Sequence, residues 1–249
     1  MIKKINYFIM SLFYPVPKKV EKVNKKEQIS FTIDKRLYKI YKVFSARLYT
    51  DTIHNFGLIK KQTLLEGPSF QIINDNFSII KNNIILKIGT PRFQKKLKGP
   101  IFVLLTGGGG NHNYSHWLLD VLPRLKLLEK ITDLKKIKYF LFPSLNYRFQ
   151  LETIRLLKIP LSKCLSSLKY RHIYSDKIIA TSHPRVYTKN STDDNENTPI
   201  WISKWLKKKF VPINTKKYSF SKIYIDRKIS KIDNNLGRSI VNNDDVKIF

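Results

Sequence analysis

The hydrophobic pattern changes its period part-way along the chain. Between residues 29 and 105 the apolar positions come in short β-branched and aromatic runs: ISFTI, YKIYKVF, FQII, FSII, NNIILKI and IFVLL. Asn, Asp, Gly and Pro separate them, and runs of this length with that punctuation predict strands. Asn74, Asp75 and Asn76 lie between two runs, so FQIINDNFSII reads as a hairpin. Gly99 and Pro100 read as a turn ahead of IFVLL. A continuous apolar run that feeds glycines and then a helix is how a buried strand opens on the ligand edge of an α/β sheet.

Beyond that strand the period lengthens. In residues 107–125, GGGGNHNYSHWLLDVLPRL, the side chains of Leu118, Leu119, Leu122 and Leu125 share one side of a helix, with Val121 at the boundary. Residues 137–142 then read as a strand ended by Pro143, and residues 147–157 as a helix. Residues 170–180 read as extended, 191–198 as a polar surface loop, and 200–210 as an amphipathic helix stopped by Pro212. Trp201 and Trp205 on that helix are spaced for core packing. Strands alternating with helices after a β-rich start predict an α/β fold.

The two ends differ from this body. Residues 1–17, MIKKINYFIMSLFYPVP, hold an apolar stretch too short to span a bilayer at about 1.5 Å per helical residue. They read as a terminal helix that packs on the body or lies against a membrane surface. Residues 18–26 read as a charged, mobile connector. At the other end, KIYIDRKISKIDNNLGRSIVNNDDVKIF has the order strand, basic loop, helix start, which is only the opening of an α/β unit. The expected organisation is a basic N-terminal segment and connector over 1–28, an α/β domain over 29–212, and an incomplete further domain over 213–249.

Composition narrows the function classes. A hydrophobic fraction of 42% with 12% aromatics marks a folded protein. Cys164 is the single cysteine, so the chain has neither an internal disulfide nor a cysteine-rich metal site, and that residue reads as a small buried apolar group. The net charge of +29 suggests a polyanion partner. Lysine outnumbers arginine, however, Ile and Asn are also abundant, and the lysines are scattered with no nucleic-acid-reading motif. That profile follows from A- and T-rich codons, so a basic nucleic-acid binder is the weakest alternative and no nucleic-acid partner is expected. A positive surface still favours anionic ligands such as nucleotide sugars or membrane headgroups.

Candidate chemistry gathers in residues 107–125. At about 100° per residue, Asn113, His116, Trp117, Asp120 and Arg124 fall on one side, opposite the leucines. His116 and Asp120 are spaced to hydrogen-bond, and either could take a proton from a sugar hydroxyl. One such pair supplies too few ligands for a metal, so none is expected. Pro123 predicts a kink or a helix end that turns Arg124 into a cleft. Glycines 107–110 could cradle a phosphate or simply let the backbone turn; they fit neither a P-loop nor a dinucleotide fingerprint. Arg227 and Arg238, with Asn242 a helical turn beyond, could grip a diphosphate or be surface charge.

Two of these stretches together resemble a known family. NYSHWLLDVLPRL, residues 113–125, resembles the signature of glycosyltransferase family 61, and residues 223–246, IYIDRK…RSIVNNDDV, resemble that family's second motif at a fitting distance. The resemblance covers residues 100–249. It implies a GT-B-like architecture: a β-rich start, a Rossmann-like N-terminal half, and here only the beginning of a second Rossmann-like domain. It implies an inverting enzyme with a nucleotide-sugar donor, no bound metal, and a glycan or lipid-linked acceptor. The expected setting is synthesis of cell-surface polysaccharide or lipopolysaccharide in the cytoplasm, with peripheral contact at the anionic inner face of the membrane. Carried over, Asn113, His116 and Asp120 line the cleft, with Asp120 as the preferred base and His116 second. Arg227, Arg238 and Asn242 begin the donor-binding half, where arginines serve a departing diphosphate in place of a metal. The chain departs from the family in having Asn243 and Asp244 where a glutamate usually follows the asparagine. It also ends at Phe249, before the family's remaining donor-binding domain and His-Gly-Ala motif. The alternative is a truncated, non-catalytic remnant acting as a binding module.

Overall fold

The structure, a computed structural model, describes residues 2–73, 76–77, 83–106, 109–185 and 198–211. The chain divides into two compact units, Met1–Val211 and Pro212–Phe249, and every described residue belongs to the first. That unit is mixed α/β, built on one large sheet.

The longest strand, β3 (Arg36–Thr50), organises the antiparallel part. It holds β2 (Gln28–Ile33) and β4 (Asn55–Lys60) end to end along one edge, and β11 (His172–Thr181) along the other. Asp34 and Lys35 both have positive φ, at 48° and 63°, which is the mirror-image two-residue turn that suits strand twist. β6 (Phe70–Ile73) and β7 (Asn76–Phe77) pair as the hairpin that the Asn-Asp-Asn spacer predicts. Beyond β11 the sheet becomes parallel, in the order β11, β8 (Lys95–Val103), β9 (Tyr139–Phe142), β10 (Cys164–Ser166). β8 is buried on both faces: Phe102 joins one apolar cluster, while Ile101 and Val103 join the other.

Three local expectations change. Gly99 and Pro100 lie within β8 instead of ahead of it, because β11 side chains take over the ladder there. Ser175 Oγ donates to Gly99 O and Gly99 N donates to Asp176 Oδ1, both at 2.7 Å, while Gly99 adopts φ 97° beside a register shift in β11. Pro100, lacking an N–H, is tolerated at that irregularity. The described part of NNIILKI, residues 83–88, is no strand; Asn83 Oδ1 accepts from Ile85 N at 3.0 Å and caps a single helical turn, α2 (Ile85–Ile88). The connector contains β1 (Lys19–Lys22), which pairs in parallel with β5 (Thr63–Glu66). It is therefore part of the sheet.

Helices cover one face of the parallel strands. α6 (Arg148–Leu156) and α7 (Ile200–Phe210) pack with the segment after β8 around Phe102, Trp117, Phe140 and Phe142. Trp201 and Trp205 lie in this core as their spacing predicts, and Trp201 Nε1 donates to Tyr38 OH at 3.0 Å. The half-buried Cys164 packs against the same cluster, and burial pushes its thiol up to about 12, so it is an unreactive filler. The N-terminal helix α1 (Ile2–Phe13) spans 12 residues. Among the described residues no helix is long and apolar enough to cross a membrane.

Candidate functional site

The site is built where two neighbouring parallel strands end. From β8 the chain enters α3 (Gly109–His112) and then α4 (Tyr114–His116). Asn113 caps the latter, its Oδ1 accepting from Ser115 N at 2.9 Å and His116 N at 3.3 Å. Gly110 is needed for close approach: a Cβ there would lie 2.7 Å from Thr106 Oγ1 and 3.0 Å from Val121 Cγ2.

The helix then widens. Trp117–Val121 is a π-helical turn in which Leu122 N donates to Trp117 O, five residues back, at 3.0 Å. It ends against Pro123, the first residue of α5 (Pro123–Leu128). Proline has no N–H and its ring crowds the carbonyl four residues back, so the preceding turn opens. Widened turns of this kind are frequent at functional sites.

This widening divides the five side chains expected on one face. Trp117 turns into the core, fully buried, with Nε1 donating to Thr153 Oγ1 at 2.9 Å. Arg124, expected to reach into a cleft and bind substrate, is instead 4% exposed. Its Nε donates to Asp120 O at 3.1 Å, and its Nη1 donates to Thr181 O at 3.1 Å and to Thr181 Oγ1 at 3.2 Å. Arg124 therefore ties the widened turn to the end of β11.

His116 and Asp120 stay together and gain two partners. His116 Nδ1 lies 2.6 Å from Asp120 Oδ2. Arg185 Nε donates to Asp120 Oδ1 at 2.6 Å and its Nη2 donates to Oδ2 at 2.8 Å, a two-pronged grip on the carboxylate. His183 Nε2 stands 3.8 Å from Asp120 Oδ1. His183 and Arg185 lie two and four residues beyond Thr181, the last residue of β11. β11 runs parallel to β8, so the segments after the two strands emerge on the same edge of the sheet, where α/β folds bind ligands.

The electrostatics assign the protons. Burial pushes the Asp120 carboxyl up, but hydrogen bonds from His116 and Arg185, with the charge of Arg185 and, in acid where His183 is protonated, that of His183, more than offset it and hold the group well below the usual carboxylate range. Asp120 is therefore an ionised acceptor, and the proton within the short contact belongs to His116 Nδ1. In a neutral imidazole that tautomer puts the lone pair on Nε2. Burial pushes His183 down to about 4, against the opposing pull of Asp120, so His183 is neutral at pH 7 and its approach to the carboxylate is no ion pair.

The chain matches no protein-family model, no curated protein and no solved structure.

Of the residues expected from sequence, the structure brings His116 and Asp120 together, with Asn113 capping the turn that carries them. It takes Arg124 into the interior. Arg227, Arg238 and Asn242 lie outside the described residues, as do Gly107 and Gly108 of the glycine run. Among the described residues no group of three or more His, Cys, Asp or Glu side chains is placed to hold a metal ion. The partners that sequence reading missed are His183 and Arg185. Their one local signal is the order His-Pro-Arg just past an extended segment, where proline ends a strand.

The arrangement also separates the two side chains in exposure and acidity. A carboxylate that is 1% exposed, gripped at both oxygens and held strongly acidic does not take a proton from a hydroxyl. His116, whose side chain is 38% exposed, offers an imidazole with its tautomer fixed. Of the two side chains, His116 is the one open to solvent, and Asp120 orients it.

Proposed function

We propose that the chain carries the acceptor-activating side of an inverting glycosyltransferase of the GT-B type, akin to family 61. It would move a sugar from a nucleotide-sugar donor to a hydroxyl of a glycan or lipid-linked acceptor, in cell-surface polysaccharide or lipopolysaccharide synthesis on the cytoplasmic side of the membrane. The observation that carries this reading is the 2.6 Å contact between His116 Nδ1 and an Asp120 locked by Arg185, at the carboxyl edge of β8 and β11.

In the step, His116 Nε2 takes the acceptor proton as the hydroxyl oxygen bonds to the anomeric carbon. The bond from that carbon to the diphosphate oxygen breaks, and the nucleoside diphosphate leaves with the electron pair. In-line attack inverts the anomeric centre. The imidazolium so formed is paired with the Asp120 carboxylate. Arg185 keeps that carboxylate charged and aligned, which makes it a positioning residue. The family resemblance assigns donor binding to Arg227, Arg238 and Asn242, whose guanidiniums and amide would neutralise and hold the leaving diphosphate.

The test is a panel of nucleotide sugars offered to this chain, with thermal shift reporting binding and nucleoside-diphosphate release reporting transfer. The expected result is saturable stabilisation by one nucleotide, weakened by Arg227→Ala or Arg238→Ala, with His116→Ala binding normally but not releasing diphosphate. Failure of every nucleotide to bind overturns the reading.

A second reading has one observation in its favour. Asp120 and Arg185 are 1% and 3% exposed, which also suits an ion pair that only holds a binding module together. Under that reading His116→Ala changes neither turnover nor ligand binding.

A further inference from the structure

We propose that the end of α1 and the adjoining cationic cavity form a docking site for an anionic phospholipid bilayer, an assignment independent of the glycosyl-transfer reading. Phe8, Ile9, Leu12 and Phe13 are 66%, 41%, 68% and 64% exposed, whereas Met10 is 5% exposed and faces the body. Positions 8, 9, 12 and 13 share one side of a helix, so the exposed apolar groups form a continuous stripe. Four large apolar side chains held in water by one short helix are costly unless something covers them. At 12 residues, α1 cannot span a bilayer, but it is long enough to lie in its interface.

The second observation is the charge of the surface to which α1 is fastened. A cavity of about 270 Å³ is lined by Arg92, Lys95, Lys169 and Arg171, with the apolar Phe93 and Leu168 among them and no carboxylate. Phe93 is 72% and Leu168 43% exposed, adding apolar surface to the cavity wall. Tyr14, the residue after α1, locks helix to cavity: its hydroxyl accepts from Gln94 N at 3.0 Å, and its ring lies edge-on to the cavity residue His172 at 4.7 Å. Arg47 Nη2 donates to Pro15 O at 2.5 Å and fixes the same corner.

An apolar stripe beside a cavity lined by four cations matches the acyl and headgroup layers of an anionic bilayer in both chemistry and order. A polyanion such as nucleic acid would satisfy the cations and leave the phenylalanines in water. Burial holds His172 neutral, with its pKa down at about 4, so it contributes apolar wall and no charge at pH 7.

The experiment is flotation of the intact chain with vesicles of phosphatidylcholine alone, and of phosphatidylcholine with about one-third phosphatidylglycerol. The chain is expected to float with the anionic vesicles only. Phe8→Ser with Leu12→Ser should abolish flotation. Arg92→Glu with Lys169→Glu should weaken it by at least about twenty-five-fold, taking about five-fold for each surface cation lost. Lys207→Glu with Lys208→Glu on α7 makes the same change in charge elsewhere and should have little effect. All these side chains except Arg92 and Lys169 lie outside the cavity, and circular dichroism checks that each variant folds. Equal loss from the α7 pair would show nothing more than general basicity and would overturn the proposal. So would unchanged flotation after loss of the phenylalanine and leucine, or displacement by millimolar inorganic phosphate, which would point to a free-phosphate site. None of these readouts depends on nucleotide binding.

Discussion

Arg185 donates to both oxygens of Asp120, from Nε at 2.6 Å and from Nη2 at 2.8 Å, across 65 positions of sequence. Removing one partner of such a buried pair leaves an uncompensated charge and costs about 3–5 kcal/mol. Arg185→Met is therefore expected to lower the melting temperature by on the order of 10 °C. Adding Asp120→Asn removes the stranded charge and should restore part of that loss. Thermal denaturation of both single variants and the double variant measures the coupling. An Arg185→Met protein as stable as the parent would contradict the burial of this pair.

If His116 is the base, His116→Ala should reduce turnover by roughly two to four orders of magnitude. Its side chain is 38% exposed, so the fold should tolerate the change. Asp120→Asn should also slow turnover, by releasing the imidazole tautomer, but should destabilise the protein as well because Arg185 loses its counter-charge. A stability loss in the aspartate variant alone would separate the base from its orienter. Comparable stability in the two variants would argue against these roles.

The buried histidines set an acid limit to stability. Burial lowers both His172 and His183 to about 4, while in the unfolded chain they titrate near their ordinary value of about 6.5. Between those values the unfolded state binds protons that the folded state does not, so stability falls as pH falls through this window. The effect is on the order of 3 kcal/mol for His172 by pH 4, and little of it is present above pH 7. Asp120 is also shifted downwards, so it adds to the loss with the same sign, but only below about pH 4, where unfolded carboxylates protonate. Urea denaturation at a series of pH values should show the decline beginning below about pH 6.5, and His172→Gln should flatten it.

Gly110→Ala tests the packing that aims the site. The new Cβ would meet Thr106 Oγ1 at 2.7 Å, Val121 Cγ2 at 3.0 Å and Pro143 Cγ at 3.1 Å. Overpacking of this kind costs about 1–3 kcal/mol. Val121 belongs to the π-helical turn, so the shift should displace Asp120 and, if the proposed transfer is right, reduce turnover beyond what stability explains. Denaturation and turnover measured on the same preparation would distinguish the two effects.

Much of the scaffold was legible because hydrophobic period is a local property. The helix over Ile200–Phe210, the strand before Pro143 and the pairing of Phe70–Ile73 with Asn76–Phe77 depend on residues within a few positions of one another. The His116–Asp120 contact was legible for the same reason, since four helical residues bring them together. Local capping already defeats this reading at Ile85–Ile88, where Asn83 makes a turn of helix from a β-prone run. Strand β1 was hidden because its partner β5 lies 44 positions on, Lys19 opposite Thr63, and period says nothing about pairing at that distance.

The sequence by itself determined an α/β chain with a histidine and a carboxylate one helical turn apart. Only the tertiary structure decided the surroundings of that pair. The parallel placement of β11 beside β8 delivers His183 and Arg185 to the same edge, and the turn widened ahead of Pro123 sends Trp117 and Arg124 inward. Arg185 then holds the buried Asp120 ionised, with His116 Nδ1 against its Oδ2. Strand order is set by burial summed over the whole sheet, and a carboxylate's basicity by whichever charges that order brings within hydrogen-bonding reach.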